Sequence, residues 1–344
     1  MPEGRLSYQD AGVDREKAGH AKRRIGELVR DTLGPEVVAN PGGFGGLYRL
    51  PQSDGGILVA SADGVGTKLK VAILAGRHET VGEDLVNHCV DDILVEGARP
   101  LFFLDYLGMG ALEPGVVEAI VAGVARGCRA NGCALLGGET AELPSMYAKG
   151  DYDLAGFIVG LTREAERPGA HRVQAGNTLL GLASNGFHTN GYSLLRRLLL
   201  QDLGLGLDDR FPDMAETVAE VLLRVHRSYR EAVHPLIVEG RVHALAHITG
   251  GGIVDNLARV LPRDADARVR RGSWRPPPEF LAVQQHGRIS DREMYLTFNM
   301  GIGLILIVEA DEATALIHRL RAGGERAWPI GEVVPGTGRV VLDE

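Results

Sequence analysis

The segment ADGVGTK, residues 62–68, places one carboxylate, two glycines, a hydroxyl and an ammonium within seven positions. Glycines let backbone N–H groups approach a phosphate, a following helix N-terminus favours negative charge, and Lys68 supplies a neutralising cation. The GxxxxGK[ST] spacing of a P-loop is absent, so the same residues also suit a bare turn. Asp91 and Asp92 interrupt an apolar helical pattern in VNHCVDDILVEGA. Adjacent acids point about 100° apart on a helix, so one at most faces inward comfortably, and a buried carboxylate needs a partner or a metal. Asp92, beside Ile93, is thus a candidate Mg²⁺ ligand, the alternative being two solvated acids. Glu139 follows Gly137-Gly138 in LLGGETAELPSMY, placed either to meet a ligand above the end of a strand or to serve as a turn acid. His188 lies in SNGFHTNGYS among Asn185, Thr189 and Asn190, where Asn190 or Gly191 also suits a helix cap. In HITGGGI, residues 247–253, three glycines lead into a helix, and His247 either meets a ligand or is satisfied in a core.

These loops need strands and helices behind them. ILVAS at 57–61 reads as a buried strand running into residues 62–68, followed by helical spacing over 67–74 and 81–96 and a strand LFFLDYL at 101–107. An amphipathic helix over 116–129 and strands at 133–139 and 154–162 complete a first unit, which a helix over 14–33 precedes. The polar stretch REAERPGAHRVQAGN, 163–177, has the composition of a surface connection and divides the chain into units 1–168 and 169–344. The second unit begins with its own strand, TLLGLAS, then the His188 loop and a helix YSLLRRLLL. Helices over 215–239, 253–260, 278–287 and 311–322 alternate with strands ARVRR, GLILIV and 327–334. The alternation predicts an α/β protein of two units.

Length agrees, since 344 residues at roughly 150 per domain give about two domains. A net charge of −8 argues against a duplex-binding surface, and 44% hydrophobic with 24% charged residues is the composition of a folding chain. Glycine, 47 residues, is about twice its ~7% average usage, which directs attention to glycine loops. Cys89, Cys128 and Cys133 contain no CxxC pair and are expected to be reduced and structural. The polar N-terminus and the absence of any apolar run near the ~18 residues of a membrane span predict a soluble, cytoplasmic protein.

In chain order, LSYQDAGVD, GGFGGLY, ADGVGTK, VDDILVEGARPLFFLDY, LLGGETAELPSMY, SNGFHTNGYS, HITGGG and MYLTFNMGIG resemble the motifs of the phosphoribosylformylglycinamidine cyclo-ligase (AIR synthetase) family. The resemblance covers essentially the whole chain. It implies an AIR-synthetase-like fold of two α/β domains, the N-terminal sheets of two chains pairing into a dimeric β-barrel and the C-terminal domain covering the cleft. It also implies ATP-dependent closure of formylglycinamidine ribonucleotide to aminoimidazole ribonucleotide, ADP and phosphate, through an O-phosphorylated iminophosphate, in de novo purine synthesis. By similarity, the loop containing Gly43, Phe44 and Gly45 and the turn Asp63, Gly64, Gly66, Thr67 and Lys68 serve ATP, with Lys68 on its phosphates. Asp63 and Asp92 are the implied Mg²⁺ ligands. Glu139, His188 and Asp92 are the implied catalytic residues, His188 stabilising the transferred phosphoryl group or moving a proton. The implied assembly is a homodimer acting on a small molecule, without nucleic-acid or membrane partners.

One departure is visible: Asp91 stands where the family usually has Asn, adding a charge beside the expected metal position. The sibling activities (selenophosphate synthetase, thiamine monophosphate kinase, hydrogenase maturation) fit less well. Against them stand His247 before TGGG, the complete GGETAELPSMY segment and the lack of a reactive terminal cysteine. A nucleotide-binding protein without turnover is disfavoured by the joint presence of Lys68, Asp92, Glu139 and His188.

Overall fold

The first half is built as β1 (Gly46–Arg49), β2 (Gly56–Gly64), α1 (Lys68–Ala75), α2 (Glu79–Leu94), β3 (Arg99–Met109), α3 (Pro114–Ala130), β4 (Ala134–Glu142) and β5 (Tyr152–Arg163). Its five strands lie in the order β1-β2-β5-β3-β4, with only β3 and β4 parallel. β5 buries alternate residues from Tyr152 onward, the period-two pattern of a sheet covered on one face. The cover is α2 and α3. These helices cross closely because Gly82 and Gly123 meet: a Cβ on Gly82 would stand 2.2 Å from the Ile120 oxygen, and one on Gly123 2.1 Å from the Glu79 oxygen. Pro114, preset for the first helical turn, starts α3. The other face of the sheet is open, with Phe157, Leu104 and Leu136 exposed.

The second half runs β6 (Thr178–Ala183), α4 (Tyr192–Arg196) continuing as a π-helical turn over Arg197–Asp202, α5 (Val218–Leu222), α6 (Arg230–Val238), β7 (Ala244–His247) and α7 (Gly252–Ala258). It ends with β8 (Ala265–Arg270), α8 (Pro278–Gly287), α9 (Asp291–Thr297), β9 (Ile302–Val308), α10 (Ala313–Ala322), β10 (Ala327–Pro335) and β11 (Val340–Asp343). The sheet order is β11-β8-β10-β6-β9-β7, again mostly antiparallel. Every residue of β9 is buried, so it forms the spine of this half. The computed structural model describes residues 6–11, 24, 27, 28, 33–38, 44–51 and 55–343. Most of the helix expected over 14–33, and Gly43, lie outside them. Among the described residues no helix is long and apolar enough to cross a membrane.

Two differences from the sequence reading have physical causes. The expected helix over 215–239 is two helices, because residues 223–229 leave the helical path. Their backbone is held by side chains of the first half: Asp84 accepts the His226 N–H at 2.6 Å, Asp91 accepts that of Tyr229 at 2.9 Å, and Asn87 donates to the His226 carbonyl at 2.7 Å. Strands β1, β7 and β11 are four residues each, too short for a periodic signal, and α9 is a two-turn helix capped by Ser290. Finally, alternation predicts α/β without fixing strand direction, and the pairing is mainly antiparallel in both sheets.

Candidate active site

A cavity of about 550 Å³ opens between the halves. From the first half it is lined by Phe44, Ser61, the turn Asp63–Thr67, His88 and Asp92; from the second by Thr189, Asn190, Tyr192, Ser193, Thr249, Gly250 and Arg259. The turn bridges both halves, since Thr67 Oγ1 lies 3.1 Å from Ser193 Oγ. On the far wall the TGGG turn needs its glycines: Gly252 has φ +62°, and a Cβ there would stand 1.8 Å from the Tyr295 oxygen.

Helix α2 supplies the polar core of the site. Asp84, His88 and Asp92 recur every four residues and so share one helix face. His88 Nε2 lies 2.7 Å from Asp63 Oδ2 and its Nδ1 2.7 Å from Thr189 Oγ1. Burial opposes a charge on His88, but Asp63, helped by Asp92 and Asp91, outweighs it and pushes the imidazole up to about 9. Asp63 is shifted the other way: burial alone would raise it, yet the His88 charge and the Gly64 N–H at 2.7 Å hold it below the usual carboxylate range. Asp92 Oδ1 lies 2.9 Å from His247 Nδ1, and Asp92 Oδ2 lies 3.3 Å from the Ser61 hydroxyl. Burial lowers His247, with Asp92 pulling the other way. A neutral His247 donates from Nδ1 to Asp92 and accepts at Nε2 from His226 Nε2, 3.1 Å away. Each cavity carboxylate is thus backed by an imidazole that fixes its orientation.

The expected charge of Asp91 beside the metal position does not reach the cavity. Asp91 is fully buried toward the second half; Oδ1 accepts from Tyr229, and Oδ2 has no hydrogen-bond partner. Burial pushes its carboxyl well above the usual range, with the Tyr229 N–H pulling the other way.

Asp63, Gly64, Gly66, Thr67, Phe44 and Asp92 all line the cavity. Lys68, expected on the phosphates, does not line the cavity. Lys68 is fully buried behind the turn; its Nζ donates to Asp84 at 2.9 Å, the Arg224 carbonyl at 2.7 Å and the His188 carbonyl at 3.2 Å. Three acceptors saturate its three donors, leaving none for a phosphate. His188 is likewise turned away from the cavity. It is 2% exposed, its ring nitrogens have no hydrogen-bond partner, and the ring lies on His226 with centroids 4.0 Å apart. Glu139 stands on exposed β4, paired in register with Tyr106, and does not line the cavity. Gly45 packs beneath, where a Cβ would stand 3.0 Å from Val59. The sequence reading did not single out His88, Ser61 or Arg259. The Asp84-x₃-His88-x₃-Asp92 stripe is the signal that marks His88; the other two carry none.

The donors fit a hard divalent cation at Asp63 and Asp92, because both are oxygen ligands facing a cavity large enough for phosphates and water. Of two groups among the described residues that bring nitrogen donors together, His88-Asp92-His247 has both His88 nitrogens engaged by Asp63 and Thr189 and His247 Nδ1 engaged by Asp92. His188, His226 and His247 bring nitrogens within 4.8 Å of one another. The rings of His188 and His226 are stacked with a tilt of 31°, so their in-plane lone pairs run side by side rather than converging.

Residues 44–162 match the family model described as AIR synthase related protein, N-terminal domain, and residues 174–343 match its C-terminal domain. The phosphoribosylformylglycinamidine cyclo-ligase of Trichlorobacter lovleyi is 48% identical over 335 residues, 97% of this chain and 96% of that protein. That of Sorangium cellulosum is 48% identical over 98% of each. Among solved structures, the thiamine-monophosphate kinase of Stenotrophomonas maltophilia superposes with a TM-score of 0.64 at 20% identity, covering 93% of this chain and 94% of that one. The hydrogenase maturation protein HypE in complex with ATP gives 0.62 at 20% identity, covering 94% and 91%. These two share the fold. Identity of 48% sustained along the whole chain goes further, and the chain belongs to the phosphoribosylformylglycinamidine cyclo-ligase family.

Proposed function

We propose that the protein closes formylglycinamidine ribonucleotide to aminoimidazole ribonucleotide, converting ATP to ADP and phosphate, as a cytoplasmic step of purine synthesis. The observation that carries this reading is the pair Asp63 and Asp92, each oriented by a histidine, facing a cavity that also holds a glycine turn suited to phosphate. A formamide oxygen is a poor leaving group. Attack of that oxygen on the γ-phosphorus releases ADP and converts it to a phosphate ester; the amidine nitrogen then bonds to the formyl carbon, phosphate departs with the C–O bond electrons, and proton loss completes the ring.

Asp63 and Asp92 would hold Mg²⁺, which supplies charge neutralisation to the transferring phosphoryl group. The backbone of Val65–Thr67 lines the triphosphate side, and Asn190, Ser193 and Thr249 offer polar contacts to the ribonucleotide. His88, positively charged beside Asp63, adds electrostatic stabilisation to the developing negative charge. His188 acts through its main chain: its carbonyl anchors Lys68, and the two residues after it enter the cavity. Asp92 is the one residue of the expected catalytic set that lines the cavity.

The open face of the first sheet supports assembly as a homodimer. Phe157 pairs in register with Leu104 on β3, and both are exposed together with Leu136 on β4. A second copy laid on this face buries them. In this reading the ATP-binding and dimerisation unit is 1–168 and the C-terminal unit 169–344.

Purified protein given ATP, Mg²⁺ and formylglycinamidine ribonucleotide is expected to form the aminoimidazole product and ADP in equal amounts. ATP hydrolysis that depends on selenide or thiamine phosphate instead would overturn the assignment.

A further inference from the structure

With Lys68 engaged elsewhere, Arg259 is the only lysine or arginine among the described residues lining the cavity. Its guanidinium carbon sits 4.9 Å from the centre of the Phe44 ring. Phe44, 8% exposed, is itself rooted in a cluster with Leu180, Leu182, Tyr229 and Leu306, so the ring is a fixed platform rather than a mobile loop side chain. Its carbonyl lies 3.2 Å from the Ser61 hydroxyl, which also faces Asp92. Arg259 caps the C-terminal end of α7 in the second half, whereas the two carboxylates come from the first, and it forms no ion pair with a carboxylate among the described residues.

A guanidinium over an aromatic face is held by the ring without using its N–H donors, and two of those donors match two oxygens of a phosphate. The carboxylate wall suits a metal-bearing triphosphate. A second phosphate on the same ligand set needs a cation of its own, away from the metal. We propose that Arg259, held over the Phe44 ring, binds the phosphate monoester of the ribonucleotide substrate, and that Phe44 is a positioning residue for that guanidinium. This deepens the functional reading and rests on it for the identity of the phosphate's owner.

The test separates the two claims. In turnover, Arg259→Met should raise KM for formylglycinamidine ribonucleotide by about 10- to 100-fold, the loss expected for charge-assisted hydrogen bonds. KM for ATP and kcat should stay within about threefold. Arg259→Lys should recover part of the loss, because an ammonium supplies the charge without the two-pronged edge. Phe44→Leu should raise the same KM in the wild-type background and add nothing in the Arg259→Met background. Independently of turnover, calorimetry with ribose 5-phosphate should show binding to the parent protein that Arg259→Met abolishes. A rise in the ATP KM alone, or unchanged ribose 5-phosphate binding in Arg259→Met, overturns the proposal. A parent protein that binds ribose 5-phosphate through Arg259 but does not turn over formylglycinamidine ribonucleotide overturns the functional reading and leaves the phosphate anchor standing.

Discussion

Both carboxylate oxygens of Asp84 face the Lys68 ammonium, at 2.9 and 2.8 Å, in a region without solvent access. Burial draws Lys68 below its usual pKa and Asp84 above its own, while their mutual attraction opposes both shifts. Removing one partner strands the other charge. Lys68→Met is expected to cost about 3–5 kcal/mol of stability, and the folded fraction should bind ATP as the parent does. Denaturant unfolding with nucleotide calorimetry on the same preparation checks this; weakened ATP binding with unchanged stability would restore Lys68 to the phosphates.

His88 makes stability fall on the alkaline side. Its folded-state value of about 9 exceeds the ordinary 6.5, so its contribution is fully present below about pH 6.5 and disappears as pH rises through 9. The difference corresponds to roughly 3 kcal/mol, shared with Asp63 as one interaction. Without divalent cations, His88→Gln should be less stable than the parent at pH 6 and should flatten the slope between pH 6.5 and 9. Parallel curves for the two proteins would contradict the assignment.

Asp91→Asn should be neutral or stabilising at pH 7.5. The group is raised by burial, so it favours folding at low pH and works against it as pH climbs above the ordinary carboxylate value. Asn keeps an acceptor for the Tyr229 N–H and removes the ionisation. Asp91→Ala, which removes the acceptor, should cost about 1–3 kcal/mol. Chemical denaturation of both variants decides the matter.

Two neighbouring glycines should behave differently. Gly252→Ala meets the Tyr295 oxygen and a positive φ, and should lose more than about 4 kcal/mol or fail to fold. Gly250→Ala, whose Cβ would stand 3.4 Å from Asn190 Oδ1, should melt within about 2 °C of the parent while turnover drops, because the added methyl enters the cavity.

If the open sheet face pairs two chains, sedimentation should give twice the 36.8 kDa of one chain, and Leu136→Asp should shift it to one. A parent protein already at the single-chain mass would remove the barrel from the account.

Much of this was legible because it is local. The glycine turn at 62–68, Asp92 and the ten-residue α8 all follow from neighbouring residues, and α8 occupies the expected 278–287. Residue type together with the family resemblance points Lys68 and His188 to the site. What turns them away is long-range: Asp84 and the carbonyls of residues 188 and 224 saturate one, and packing on His226 buries the other. The break at 223–229 was equally hidden, since the helical spacing runs on through it while side chains from α2 hold the backbone elsewhere. His88 was within reach, four residues before Asp92.

The contacts fastening residues 224–229 to the first half end mainly on main-chain atoms: the Arg224 and His226 carbonyls and the N–H groups of His226 and Tyr229. Tolerance to sequence drift is therefore one-sided. For this fastening the second half needs chiefly a backbone of the right path, with Ser228 Oγ on Asn131 as a side-chain contact, whereas Lys68, Asp84, Asn87 and the Asp91 position must each keep a donor or acceptor in place. A chimaera taking its second half from a distant relative should stay joined as long as that path is kept, and one taking a first half altered at these four positions should come apart.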